Sequence, residues 1–284
     1  MWFNKKKDQE EPLELLIVSI KNAQISSISN FNSFQSRAES SLKMTIDAIK
    51  LGIINKDISF SLNTGDFPVG NIQPNNFYYC CDCKENLSTV FPDFIFDHWQ
   101  QAGIEDYNLT VQKIIDASSR PFIHNKMLWI GNVKTNATRK KITEYTKQFP
   151  DLIEAYDTCV DQHVSGSKKV PYISLSDHTK YKYLIDIEGR GYSGRIKLLL
   201  HTKRLLFIQE RRWKSYYHFE LEPYRHFIPV KNDMSDLISQ IEFVEQQGLT
   251  YYETIVNNAF DFAIENLKYD VAIKRIQNLI NNKL

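Results

Sequence analysis

The sequence between residues 181 and 208 combines a glycine turn with a cation, a pairing that can bind an anion. An apolar, β-prone run leads into Gly189 and Gly191, and Ser193 and Arg195 then begin an amphipathic run. The N–H groups of a turn that opens a helix are free to meet negative charge. An arginine in the first turn adds a planar fork of donors that fits a phosphate. Ordinary βαβ packing remains an equal alternative, because Gly-x-Gly alone is weak evidence.

A second turn of the same kind occurs earlier in the chain. The strand-like run 126–130 ends at Gly131 and Asn132, and Arg139 lies at the start of the helix that we predict from Thr138 onward. The order of strand, glycine, polar residues and arginine is therefore repeated. Two such turns favour one shared anion site over two unrelated packing turns.

Acidic and aromatic side chains supply further candidates for chemistry. Asp66 follows the alternating run 58–62, and an acid at the carboxyl end of a strand lies where open α/β sheets bind ligands. Its Gly-Asp context also makes it a good turn residue. Asp97 and Trp99 belong to the aromatic-rich stretch 90–99. Such rings fill a core or form stacking platforms for sugars and bases. The core interpretation is favoured for most of them, and Trp99 and Asp97 are kept as candidates for a site.

Length and composition bound the class of protein. The 284 residues are enough for two cores, and with 42% hydrophobic and 24% charged residues the composition is that of a globular chain. The net charge of +1 gives no general attraction to nucleic acid. Residues 178–231 nevertheless carry 12 Lys and Arg against 5 Asp and Glu, which suits a small polyanion.

The cysteines and the N-terminal residues indicate the compartment. Cys80, Cys81 and Cys83 lack the spacing of a zinc site, and with Cys159 they fit a reducing environment as free thiols. The polar run 4–11 is unlike the apolar core of a secretory signal. We therefore expect no leader, no integral membrane span and a cytoplasmic location, and a peripheral position at a membrane stays open.

The elements that must hold these residues alternate between strands and helices. This order predicts an α/β fold with mostly parallel sheets. We interpret the Ser/Asn-rich stretch 26–33 as a loop and the polar stretch 149–169 as a domain boundary. Apolar spacing from Leu237 onward predicts a helix that ends at Gly248, and two more helical runs close the chain.

Four blocks of the sequence carry a resemblance to a known family. Residues 180–197, KYKYLIDIEGRGYSGRIK, resemble the signature of glycosyltransferase family 90, which includes the fungal capsule-associated CAP10 proteins and the Rumi-type animal protein O-glucosyltransferases. Residues 60–66 resemble the strand that carries its acidic catalytic residue. Residues 128–132 resemble its F/W-R-G-S block, and residues 226–237 its H-Y-I-P-V segment. The arginine of the F/W-R-G-S block is Ile130 in this chain.

The resemblance implies a GT-B glycosyltransferase, with two Rossmann-like domains that face each other across a central cleft. It places an acceptor-side domain at residues 1–150, which is joined by C-terminal helices at about 262–284. The UDP-sugar-binding domain would then span residues 151–261.

The resemblance also implies an inverting reaction that uses a UDP-sugar, with xylose or glucose as the sugar, and no metal or other cofactor. Asp66 would be the general base. From the aromatic-rich stretch, independently of the resemblance, we expect Asp97 and Trp99 to line the pocket for the acceptor or the sugar. Asp177 would order the loop before the central strand or contact the donor. The residues assigned to UDP-sugar binding are Gly131, Asn132, Arg139, Asp177, Gly191, Tyr192, Ser193 and Arg195.

The resemblance does not identify one acceptor and implies only a range of acceptor classes. The family acts on proteins, polysaccharides and lipid-linked glycans, and the missing leader favours a microbial or viral branch that builds lipopolysaccharide or capsule. Ile130 keeps a second interpretation open, in which the chain binds a UDP-sugar as a scaffold without turnover. Nucleic acid is not an expected partner, because the overall charge is nearly neutral.

Overall fold

The computed structural model describes residues 14–30, 35–52, 54, 57–69, 72–73, 76–159 and 173–282. The polar N-terminal run and the part of the polar stretch 149–169 from residue 160 onward lie outside the described residues. The described strands are β1 (Leu15–Lys21), β2 (Gln24–Asn30), β3 (Ile58–Asn63), β4 (Asn76–Tyr78), β5 (His124–Gly131), β6 (Ile153–Asp157), β7 (Tyr181–Asp186), β8 (Leu205–Gln209) and β9 (Ile228–Val230).

The strands form two sheets of different character. The first sheet has the order β2-β1-β3-β4, in which β1 pairs antiparallel with β2 and β3, and β3 pairs parallel with β4. The second sheet has the order β6-β5-β7-β8-β9, and all of its recorded pairings are parallel. Parallel strands bring their carboxyl ends to one edge, so the residues that follow β5, β7 and β8 share that edge.

Seven α-helices cover these sheets in the described part of the chain. They are α1 (Gln35–Lys50), α2 (Tyr107–Ser118), α3 (Arg139–Gln148), α4 (Ile196–Leu199), α5 (Leu237–Gln247), α6 (Leu249–Asn266) and α7 (Tyr269–Asn282). Helix α7 packs on α1, where the Tyr269 hydroxyl donates to Asp47 at 2.8 Å. Helices α5 and α6 bury Leu237, Ile241 and Ile255 in the core of the second sheet. No described helix has the length and apolar character to cross a bilayer.

The structure confirms the predicted α/β class and the arrangement of two sheet-based units around a central cleft. The first sheet is mixed, because β1 and β2 form a hairpin. The tight turn between them places Asn22 and Ala23 at positive φ, 50° and 55°, which is the geometry that joins antiparallel strands.

Two boundaries differ from the sequence-based expectation. Residues 24–30 form β2, although Ser and Asn there suggested a loop. This edge strand is exposed nearly throughout, so it has no alternating apolar side chains that would mark it. The predicted division at residue 150 falls between β5 and β6, which pair directly. The boundary between the sheets therefore belongs before β5, after helix α2.

Candidate active site

A cleft with a volume of about 2210 Å³ is lined by residues from both units. Its walls include the loops that follow β3, β5 and β7. Most of the predicted site residues line it, and these are Asp66, Trp99, Gly131, Asn132, Arg139, Gly191, Tyr192, Ser193 and Arg195. Two predicted residues, Asp97 and Asp177, are not among its lining. The two glycine turns recognised in the sequence thus face one space together with the acid after β3.

The Asp66 carboxylate is partly exposed to this cleft. Arg37 of α1 donates to the Asp66 Oδ1 atom at 3.1 Å and to the Thr64 carbonyl at 2.9 Å, which fixes the carboxylate relative to the end of β3. No hydrogen bond to the Oδ2 atom is found among the described residues, and 40% of the side chain is exposed. One oxygen is therefore held in place while the other remains able to accept a proton. Arg37 carried no sequence signal, since it lies 29 residues away in a helix.

Gly191 brings the glycine turn of the second unit against Asp66. A Cβ atom at position 191 would lie 1.9 Å from the Asp66 carbonyl oxygen and 2.6 Å from its carbonyl carbon. Only glycine fits this approach, because the obstacle is backbone and cannot rotate away. The acid of the first unit and the turn of the second are thus in direct contact.

A buried carboxylate, Asp186 at the end of β7, organises that turn. Its Oδ1 atom accepts from the Ser193 hydroxyl at 2.7 Å, and its Oδ2 atom accepts from Arg211 Nη1 at 2.7 Å. Burial by itself would raise the pKa of Asp186, but the charges of Arg211 and Arg195 and these hydrogen bonds outweigh it and hold the pKa below its usual value. Neither Asp186 nor Arg211 was predicted, because an acid inside an apolar strand has no distinctive spacing.

Arg195 links the two predicted turns. Its Nη1 atom donates to the Ile130 carbonyl at 2.5 Å, and its Nη2 atom lies 3.5 Å from Asp186 Oδ1. Ile130 therefore contributes its backbone to the site even though its side chain is not the arginine of the resembling family. The Arg195 side chain is 19% exposed and lines the cleft, so a cation stands where the two turns converge.

Arg139 has a different role from the one expected. It donates from Nε to the Glu188 carbonyl at 2.8 Å, from Nη2 to the Ile187 carbonyl at 2.8 Å, and from Nη1 to Asn132 and Thr135. Burial, followed by the charge of Arg195, lowers its pKa to about 10. These hydrogen bonds hold the two turns together, so Arg139 is a positioning residue. Few of its N–H groups remain to donate to a ligand.

Asp97 and Asp177 are the two predicted site residues that the structure places elsewhere. Asp97 is buried and accepts from Lys43 and from His98 Nδ1 at 2.7 Å, and these interactions hold its pKa low against the opposing effect of burial. Asp177 accepts from the Ser174 hydroxyl at 2.7 Å and pairs with Lys180 at 2.7 Å. Both carboxylates satisfy local structure, so the alternative that Asp177 orders its own loop is the one that fits.

Aromatic side chains divide between core and cleft. Trp99 lines the cleft and packs edge-on against the buried Phe94, with ring centroids 5.9 Å apart. Tyr192 lines the cleft as well, but its ring packs at 6.1 Å against Tyr79 within the first core. Trp99 is therefore the aromatic residue of the predicted set whose ring is partly available to a sugar.

A second buried ion pair joins the two units below the turn. Lys197 of α4 contacts both carboxylate oxygens of Asp93, at 2.7 and 2.8 Å, and it also donates to the Gly194 carbonyl at 2.9 Å. Both side chains are essentially inaccessible. This pair fixes the Ser193–Arg195 segment to the first unit, and it was not anticipated from the sequence.

The sequence model of Glycosyl transferase family 90 matches residues 32–282, which contain all the described helices and strands except β1 and β2. The chain belongs to glycosyltransferase family 90. The blocks around Asp66 and Arg195 that resembled this family therefore lie on the two facing walls of a family 90 cleft.

Curated relatives agree with the family assignment. The chain is 23% identical over 225 residues to protein O-glucosyltransferase 3 of Homo sapiens, which covers 72% of this chain and 43% of the relative. It is 28% identical over 161 residues to protein O-glucosyltransferase 1 of Rattus norvegicus, and this match covers 55% of this chain and 41% of the relative. It is 24% identical over 234 residues to the O-glucosyltransferase rumi of Drosophila melanogaster, covering 75% and 56%. The chain thus spans about half the length of these relatives.

Among solved structures, the chain is similar to the HepE protein of Anabaena in complex with UDP-glucose. The TM-score is 0.36 with 10% identity, and the match covers 59% of this chain and 43% of that one.

Proposed function

We propose that this family 90 chain is an inverting, metal-independent glycosyltransferase. It moves a sugar from a UDP-sugar to a hydroxyl group of a glycan, a lipopolysaccharide or capsule precursor, or a glycoprotein. The observation that carries this proposal is the contact between Asp66 and the Gly191 turn, because it sets a partly exposed carboxylate beside the glycine turn whose Arg195 side chain lines the cleft. The names of the three relatives favour glucose over xylose as the transferred sugar.

The chemistry assigns a task to each wall of the cleft. The diphosphate of the donor leaves as the anomeric carbon is attacked, so negative charge develops on it. Arg195 and the turn around Ser193 stabilise that charge, and one such donor in a water-poor site contributes about 3–4 kcal/mol, roughly a hundred- to thousandfold in rate. The cations of the cleft supply charge compensation without a metal.

Asp66 takes the proton from the acceptor hydroxyl as that oxygen attacks opposite the leaving diphosphate. The Oδ2 atom is the acceptor of this proton, since Arg37 holds the Oδ1 atom. A positioned base of this kind contributes about 10²- to 10⁴-fold. Attack from the face opposite the leaving group inverts the anomeric configuration.

A donor panel tests the proposal. The full chain is incubated with UDP-glucose, UDP-xylose and other UDP-sugars, with and without EDTA, and UDP release is followed. We expect UDP release from at least one donor, with a rate that EDTA leaves unchanged. Loss of turnover in EDTA would overturn the metal-independent mechanism. Tight UDP binding without turnover of any donor and acceptor would favour the silent scaffold, which the Ile130 departure first suggested.

A further inference from the structure

Arg190 is the cleft arginine that has no assigned task. It lies between Gly189 and Gly191 on the turn after β7, it is exposed, and it lines the cleft. Among the residues that the structure describes, no hydrogen bond or ion pair engages its guanidinium. An exposed cation without a protein partner in a ligand cleft is available to an anion.

The backbone that carries Arg190 is held firmly on both sides. Arg139 binds the carbonyl groups of Ile187 and Glu188, and the Asn136 amide donates to the Gly189 carbonyl at 3.1 Å. On the other side, Gly191 rests against the Asp66 backbone. The backbone at Arg190 is therefore held in place while its side chain is free. Binding of a ligand by Arg190 then costs little entropy for ordering the backbone.

The other three arginines of the cleft have protein partners, and of these Arg195 keeps part of its guanidinium exposed to the cleft. Arg37 pairs with Asp66, Arg139 donates to four protein oxygens, and Arg195 donates to the Ile130 carbonyl beside Asp186. A diphosphate carries two negative charges at neutral pH. If Arg195 compensates one of these charges, neither Arg37 nor Arg139 is available to compensate the other.

We propose that Arg190 is a donor-binding residue that contacts the diphosphate of the UDP-sugar. This assignment rests on the proposed function, and it gives Arg190 the role that the sequence had assigned to Arg139. Its place on the same turn as Ser193 and Arg195 favours the diphosphate over the acceptor. A planar guanidinium can bind two phosphate oxygens at once. This interaction becomes stronger as the leaving diphosphate gains negative charge.

Binding of UDP and of uridine by isothermal titration calorimetry tests the assignment on the full chain. Arg190→Gln is expected to weaken UDP binding about 10- to 100-fold, the range for a charge-assisted hydrogen-bonding pair. Uridine lacks the diphosphate, so its affinity should stay within twofold. Arg225→Gln is the matched control, because Arg225 is an exposed arginine of the same unit that pairs with Glu222 and does not line the cleft.

The outcomes separate this assignment from the proposed function. If the wild-type chain binds UDP and Arg190→Gln binds it equally well, the Arg190 assignment is wrong and the donor class stands. An equal loss of UDP and uridine affinity would also overturn it, because the change would then act on the nucleoside or on the fold. A wild-type chain that binds neither UDP nor any UDP-sugar would overturn the proposed function together with this assignment.

Discussion

Gly191 lies so close to Asp66 that a Cβ atom at position 191 would be 1.9 Å from the Asp66 carbonyl oxygen. This contact joins the loop after β3 to the turn after β7. It sets the distance between the proposed base and the proposed diphosphate site through backbone atoms alone. Neither residue can move closer to the other without displacing it.

Gly191→Ala should therefore disrupt catalysis severely. The added methyl group must push the two loops apart, and a displacement of about 1 Å between reacting groups can cost about 100-fold in rate. We expect kcat for sugar transfer to fall by at least that factor. Gly189→Ala is the control, because its Cβ would make ordinary van der Waals contacts with side chains, to the Arg139 guanidinium at 3.4 Å and to Thr135 Oγ1 at 3.8 Å. Equal activity in the two variants would contradict the importance of the contact.

Asp186 is predicted to contribute strongly to stability. Asp186→Asn removes the carboxylate that faces Arg211, whose side chain is fully buried, and leaves that charge uncompensated. Breaking such a pair costs about 3–5 kcal/mol. Urea unfolding should show this loss in the free energy of unfolding.

The matched control for Asp186 is Glu222→Gln, which breaks the exposed pair between Arg225 and Glu222. An exposed pair contributes little, so this variant should unfold like the wild type. If both variants retain wild-type stability, the buried pair does not stabilise the turn as described.

Buried histidines predict a stability that falls on mild acidification. Burial lowers the pKa of His178 and of His201 from 6.5 to about 4. Below pH 6.5 the unfolded chain gains these protons and the folded chain does not, so stability is lost between pH 6.5 and about 4. Each such group contributes a slope of up to about 1.4 kcal/mol per pH unit. Carboxylates such as Asp186, with a lowered pKa, add their own loss only nearer pH 4 and below.

His201→Asn isolates one of these contributions. The His201 Nδ1 atom hydrogen-bonds the Lys197 carbonyl at 2.7 Å, and the Nδ2 atom of an asparagine can replace it. Urea unfolding at pH 7, 6 and 5 should show a shallower pH dependence in the variant than in the wild type. An unchanged slope would mean that His201 is not held neutral in the folded chain.

The sequence predicted those parts of the fold that have a local signature. Helices α5, α6 and α7 followed from their apolar spacing, and the glycine turns after β5 and β7 marked where two strands end. β2 was missed because its side chains are exposed at a sheet edge. The division at residue 150 was misplaced because strand pairing joins residues far apart in the chain, and no local pattern encodes it.

As with the fold, the sequence predicted those residues of the candidate site that lie in a recognisable local pattern. That Asp66, Ser193 and Arg195 line one cleft agrees with the prediction made from their turns and from the family resemblance, while their roles stay predictions. Arg37 and Asp186 were missed because their importance lies in what they contact across 29 and 25 residues of sequence, at Asp66 and Arg211. Asp97 was misplaced for the complementary reason: an acid beside aromatic residues looks available until Lys43 and His98 are seen to occupy it.

The most direct test of the central claim is the turnover of the Asp66→Asn variant with an accepted UDP-sugar and acceptor. Asparagine keeps an oxygen for Arg37 and loses the ability to take a proton, so the pocket persists without its base. We predict that kcat falls by about 10²- to 10⁴-fold while UDP affinity, measured by calorimetry, stays within threefold. Asp82→Asn, at an exposed acid paired with Arg212, should leave both unchanged. Near wild-type turnover by Asp66→Asn would contradict the account.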